Sequence, residues 1–212
     1  MKKNDSVTTI FLDIGGVMLN DGWDRHARKR AAKTFDLDLE EMESRHHLTF
    51  ETYEEGKLTM NEYLDLVIFY KECSFTKAQF RRFMFAQSIS YPKMIEMIQS
   101  LKIWYGLKII VVSNEARELN AYRVRKFKLG SFVDSFISSS FVNLRKPDVD
   151  IYRLALDIAQ VPARQVVYIE NTPMFIKIAS SLGIRSILHT DYASTCAQLN
   201  VFGLQHNERA TV

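Results

Sequence analysis

Apolar residues fall into short blocks set apart by polar and turn-forming residues, and between the blocks lie stretches of helical periodicity. Four blocks rich in Val and Ile, Val7 to Leu12, Leu107 to Val112, Gln165 to Ile169 and Gly183 to Leu188, read as strands buried on both faces, with a weaker one at Phe132 to Ile137. The amphipathic segments are Pro92 to Tyr105, which opens with a proline suited to a first helical turn, then Glu115 to Phe127, Asp148 to Gln160 and Pro173 to Leu182. This alternation predicts an α/β fold, a doubly wound, Rossmann-like parallel sheet.

From Asp21 to Ser90 the alternation stops. That stretch is charged and helical, with Tyr63, Leu66, Val67 and Tyr70 at i, i+3, i+4 and i+7 on one expected apolar face. It predicts a small all-helical cap domain over residues 21–90, inserted after the first strand, with 1–20 and 91–212 forming the α/β core. The chain shows no internal repeat and no low-complexity segment.

Composition narrows the function classes. With 28 Lys and Arg against 25 Asp and Glu, the excess of positive charge is too small to predict a nucleic-acid partner, and the basic stretches at 25–30 and 123–126 read as solvated helix faces. Cys73 and Cys196 have neither disulfide-framework nor zinc spacing, so a reducing cytoplasm is the expected setting. No apolar run approaches the roughly 18 residues that span a bilayer, so no membrane association is expected.

In sheets of this kind ligands bind beyond the carboxyl ends of the strands, so the residues leaving each strand are the candidates for chemistry. The first strand leaves through Asp13-Ile14-Gly15-Gly16-Val17, where a carboxylate precedes glycines whose N–H groups can close on an anion. Ser113-Asn114 follows the second strand at a helix start, with a hydroxyl and backbone N–H groups suited to a phosphate oxygen. Lys146-Pro147 places a cation just ahead of a helix. Glu170-Asn171 follows four apolar strand residues, where a carboxylate must be paired or bind a metal. With Asp13 it forms a candidate hard-oxygen site for Mg2+.

Taken in order, these four motifs resemble those of the haloacid dehalogenase (HAD) superfamily, and the helical insert is similar to that family's C1-type cap. The resemblance implies that Asp13 is a nucleophile forming an aspartyl-phosphate. It implies that Asp13, the Gly15 carbonyl and Glu170 hold Mg2+, and that Ser113 and Lys146 act on the transferring phosphoryl group, with Gly16 and Asn114 also on the substrate. The expected activity is Mg2+-dependent hydrolysis of a small phosphorylated metabolite, by a monomer or homodimer. A 2-haloacid dehalogenase, or a weakened member that binds a phosphorylated ligand or protein partner, are the alternatives.

Two positions depart from the family pattern. Typical phosphatases of the family have an acid/base aspartate two residues after the nucleophile; here that residue is Gly15, which predicts slow turnover of poor leaving groups unless Asp21 or Asp24 takes the role. Asn171 stands where the family usually has an aspartate, and the later polar position falls in Met174-Phe175, so weaker metal binding is expected. His46-His47 read as surface residues. Phe80, Phe83, Phe85, Trp23, Trp104, Tyr63 and Tyr70 read as packing.

Overall fold

The computed structural model describes residues 6–206. Five strands, β1 (Thr9–Leu12), β2 (Lys108–Ser113), β3 (Ser135–Ser138), β4 (Val166–Glu170) and β5 (Arg185–Leu188), form one parallel sheet in the order β3-β2-β1-β4-β5. Alternate residues face opposite sides. Ile10, Leu12, Ile109, Val111, Val167 and Ile169 pack with α5 (Pro92–Tyr105) and α10 (Tyr192–Val201), through Met97, Ile98, Leu101 and Leu199. Phe11, Ile110, Val112, Val166 and Tyr168 pack with α8 (Val149–Ala159) and α9 (Pro173–Ser181), through Ile151, Tyr152, Ala155 and Ala179. Burial on both faces explains why these strands read as unbroken apolar blocks. The predicted segments lie one to three residues off at most boundaries; in particular Ser113 and Glu170 end their strands rather than following them.

Between β1 and α5 the chain forms α1 (Arg25–Phe35), α2 (Leu39–Glu54), α3 (Met60–Val67) and α4 (Lys77–Ala86). Their starts are written in the sequence: Asp24 and Asp38 accept the N–H groups of Ala27 and Glu41, and Thr59/Glu62 and Thr76/Gln79 form capping boxes. These helices bury an apolar cluster of their own that includes Trp23, Ala31, Met42, Tyr63, Val67, Phe80 and Met84. Phe80 is fully buried, with Phe83 and Phe85 packed against the same cluster. Two residues of α6 (Arg117–Lys126) and its cap, Leu119 and Ala116, join it from the sheet side.

Three expectations are corrected. The buried face of α3 is Met60, Tyr63, Leu64 and Val67; the helix stops at Val67, which leaves Leu66 46% and Tyr70 36% exposed. Trp104 is likewise a surface residue, 42% exposed. The basic stretches are not wholly solvated either. Arg28 is 8% exposed and bonded to Glu43 and to the Trp23 carbonyl, and Arg123 is 2% exposed and paired with Glu115.

The C-terminal end of α2 is pinned to the core. Ser139 Oγ donates to the Glu54 carbonyl at 2.6 Å, and Asn143 Nδ2 donates to the Glu55 carbonyl at 2.8 Å. Gly56 sits at φ 76°, and a Cβ there would lie 2.2 Å from the Ser140 carbonyl oxygen, so only glycine allows this approach. Among the described residues no helix is long and apolar enough to cross a membrane.

Candidate functional site

The register of the sheet decides which side chains meet. Leu12 pairs with Val111 on one side and Ile169 on the other, and the Asp13 N–H continues the ladder to the Ile169 carbonyl at 3.0 Å. Asp13 therefore leaves β1 between the ends of β2 and β4, beside Ser113 and Glu170. Its Oδ1 accepts the Ile14 N–H at 2.9 Å, and the same N–H lies 3.4 Å from Ser113 Oγ.

Lys146 reaches in beneath this point. Its Nζ lies 3.1 Å from Asp13 Oδ1 and 2.6 Å from Glu170 Oε2, with all three side chains 10% exposed or less. Glu170 Oε2 also accepts the Tyr168 hydroxyl, and Oε1 accepts the Thr172 N–H at 2.9 Å. Asn114 fixes the lysine's own peptide: its Nδ2 donates to the Lys146 carbonyl and its Oδ1 accepts the Lys146 N–H, both at 2.8 Å. Burial pushes the Asp13 carboxyl up to about 7 against the pull of Lys146, and Glu170 adds to the rise. Burial alone would lower Lys146, but Asp13 and Glu170 hold it above the ordinary lysine range.

Asp13, Gly15, Asn114, Lys146, Asn171 and Thr172 border a cavity of about 450 Å3, within the usual range for small-molecule sites. Ser113 and Glu170, 1% and 0% exposed, lie behind its wall. Gly16 is placed otherwise than expected. Its N–H is taken by the Leu19 carbonyl at 2.7 Å, and at φ 71° a Cβ on it would overlap the Asn171 amide, 2.0 Å away. The glycine makes room for Asn171 instead of presenting an N–H to a ligand.

The side of the cavity away from the sheet is built by residues whose part in it the sequence did not disclose. Trp23, Arg28, His46, Phe50, Tyr53 and Met84 come from the inserted helices and the segment leading to them, Leu119 from α6 and Arg145 from the loop before Lys146. His47 is exposed as expected, but His46 is half-buried. The Tyr63 hydroxyl accepts the Trp23 indole N–H at 2.9 Å and shares a hydrogen bond with His46 Nδ1, 2.8 Å away. Burial, with Arg28 nearby, lowers His46 to about 4, so the imidazole is neutral.

Arg123 and Glu115 form a buried ion pair, and the second arm of the guanidinium donates to the Asn20 carbonyl. Glu115 lies ahead of α6 and Arg123 within it, so the pair ties the approach to that helix to the helix itself. The bond to Asn20 fixes the residue before Asp21. Asp21 Oδ1 lies 3.0 Å from where a Cβ on Gly15 would stand, so the space beside Gly15 is filled by a carboxylate from another part of the chain. Burial and the neighbouring Asp24 raise Asp21 above the usual carboxylate range. Asp24 also borders the cavity, but its Oδ1 is engaged by the Ala27 N–H at 2.7 Å.

The donor set suits a hard divalent cation. Asp13 and Glu170 supply two carboxylates for one lysine, Gly15 adds a backbone carbonyl at the cavity wall, and Asn171 brings no charge. Among the described residues no group of three or more His, Cys, Asp and Glu gathers as a ready-made cage. The two carboxylates fit Mg2+, which keeps several waters and takes one or two carboxylates together with substrate phosphate.

Comparison with known proteins agrees with this architecture. The drimenol cyclase DrtB of Aspergillus calidoustus is 26% identical over 202 residues, covering 93% of this chain and 37% of that protein. The putative pyrophosphatase PpaX of Caldanaerobacter subterraneus is 28% identical over 82 residues, 39% of this chain and 37% of that protein. The chain thus spans little more than a third of the length of these curated relatives. Among solved structures, the HAD family enzyme BT-2542 of Bacteroides thetaiotaomicron, in complex with magnesium and inorganic phosphate, superposes with a TM-score of 0.73 at 18% identity, over 90% of this chain and 99% of that one. Residues 7–183 match the family model of the haloacid dehalogenase-like hydrolases, and the chain belongs to that family.

Proposed function

We propose that the protein is a Mg2+-dependent phosphatase that hydrolyses a small phosphorylated metabolite through an aspartyl-phosphate on Asp13. The observation that carries this reading is Asp13 itself: a buried carboxylate at the edge of the cavity, with the Lys146 ammonium 3.1 Å from one oxygen. Magnesium and inorganic phosphate held by BT-2542, and the pyrophosphatase name of PpaX, support the same class of chemistry.

In this reading Asp13, Glu170 and the Gly15 carbonyl hold the metal, which when bound neutralises phosphoryl charge. Asp13 Oδ2 attacks phosphorus, forming the acyl phosphate as the bond to the leaving oxygen breaks. Lys146 stabilises charge on the phosphoryl oxygens, assisted by the Ser113 hydroxyl. Asn114 keeps Lys146 in place through its two bonds to the lysine's main chain. Asp21 passes a proton to the departing alcohol and takes one from the water that then attacks phosphorus, releasing inorganic phosphate and restoring Asp13. Residues 21–90 act as the cap that closes the cavity over the core formed by 1–20 and 91–212.

A metal-free 2-haloacid dehalogenase is the second reading. It is favoured by the ammonium already placed between the two carboxylates, 3.1 Å and 2.6 Å away.

The test is release of phosphate from an aryl phosphate, with and without Mg2+, by the intact protein and by Asp13→Asn. Metal-dependent release lost in the variant is expected. Activity persisting in the variant overturns the role of Asp13, and halide release from 2-haloacids without metal selects the second reading.

A further inference from the structure

We infer that the cavity is built for the phosphate ester of an apolar alcohol, aromatic or isoprenoid in chemical class, rather than for a sugar phosphate or a metabolite carrying a second charge. The inference rests on the phosphatase reading and specifies its substrate.

The charged groups on the far side of the cavity are already paired within the protein. The Arg28 guanidinium is bonded to both oxygens of Glu43, at 2.7 and 3.0 Å, and to the Trp23 carbonyl at 2.6 Å. Arg145 binds Glu51 and Glu54 at 3.0 and 2.9 Å, and Arg123 is joined to Glu115. A second phosphate or a carboxylate at the far end of a substrate would find each of these cations neutralised, and would face Asp24 besides.

The polar tips of the aromatic residues are also engaged with one another. The Trp23 N–H, the Tyr63 hydroxyl and His46 Nδ1 form one chain of hydrogen bonds, and the imidazole is uncharged. What these residues and their neighbours offer the cavity is the indole of Trp23, the Phe50 ring, the Met84 thioether and the Leu119 side chain. On the opposite wall the Phe175 ring lies 4.9 Å from Lys146 Nζ, so apolar surface continues down to the cation. Tyr53, 3% exposed and stacked on Tyr63, carries a hydroxyl without a partner among the described residues. That hydroxyl is closed off from the cavity, as are the unpartnered Glu115 Oε2, Arg123 Nε and Arg145 Nε, so beyond Asp24 and His46 the far side leaves a sugar few partners and the desolvation of its several hydroxyls would go largely uncompensated. An apolar group there gains by leaving water.

The experiment compares geranyl phosphate and benzyl phosphate with glycerol phosphate, a hexose phosphate and phosphoglycerate, in Mg2+ with the intact protein. A kcat/KM at least about tenfold higher for the apolar esters is expected, and Phe50→Ala should narrow that ratio. Equal or better turnover of the polar esters overturns the inference. Binding of the same five esters to Asp13→Asn, measured by calorimetry, is the independent arm. If no ester is hydrolysed, the phosphatase reading fails, and the order of affinities still decides this one: apolar esters bound at least about tenfold more tightly uphold an apolar pocket, and any other order overturns it. Selective affinity for geranyl over benzyl phosphate places the natural alcohol in the isoprenoid class, and the reverse places it in the aromatic class.

Discussion

Asp21 Oδ1 lies 3.0 Å from the point where a Cβ on Gly15 would stand. A carboxylate eight positions beyond Asp13 therefore occupies the space that a longer side chain at residue 15 would fill. If Asp21 transfers the proton to the leaving group, Asp21→Asn should lower turnover of alkyl phosphates by about 10²- to 10⁴-fold. Turnover of an activated aryl phosphate, whose leaving group needs no proton, should fall far less. Equal losses on both substrates would reduce Asp21 to a structural role.

The neighbouring ion pair should act on the same step from a distance. Arg123 holds Glu115 and the Asn20 carbonyl, so removing it strands a buried carboxylate and loosens the chain that carries Asp21. Arg123→Met should cost about 3–5 kcal/mol in urea denaturation. Adding Glu115→Leu removes the stranded charge and should recover much of that loss. Alkyl phosphate turnover should stay depressed in the double variant because the bond to Asn20 is still missing. Recovery of both stability and turnover would show that Asn20 needs no such anchor.

How much of this was legible in the sequence differs from floor to roof. Asp13, Ser113, Lys146 and Glu170 are each ordinary taken alone and are singled out by their order along the chain and its family resemblance; the parallel register then brings Asp13, Ser113 and Glu170 together, and a loop delivers Lys146 to them. Arg28 and Arg123 lie in basic runs that look alike residue by residue. Which member of a run turns inward depends on a partner elsewhere, Glu43 or Glu115, and only the path of the chain supplies it. Leu66 and Tyr70 failed for the opposite reason: the apolar spacing was sound, but α3 ends at Val67 before the pattern is complete. The wall made by Trp23, Phe50 and Met84 has no sequence signature, since those side chains meet only through packing between separate helices.

Lys146 bridges two buried carboxylates, so its loss should be felt in folding before it is felt in catalysis. Lys146→Met should cost about 3–5 kcal/mol in denaturant unfolding, because Asp13 and Glu170 are left facing each other. Adding Glu170→Gln should restore part of that stability without restoring phosphate release. An unchanged denaturation midpoint in the single variant would mean that the two carboxylates are compensated by solvent.

His46 links the cavity wall to acid stability. Its folded-state value near 4 lies below the ordinary 6.5, since burial and the nearby Arg28 oppose the charged ring. Below pH 6.5 the unfolded chain takes up a proton that the folded chain refuses, so unfolding draws in protons. The contribution of neutral His46 is thus complete above pH 6.5 and is lost progressively as the pH falls towards 4. His46→Phe, which keeps a ring against Phe50, should flatten the fall in stability across that window when denaturation midpoints are compared at pH 7 and pH 5. The variant should lose less than the parent between those two pH values; equal losses would place the ring in contact with water and remove it from the acid response.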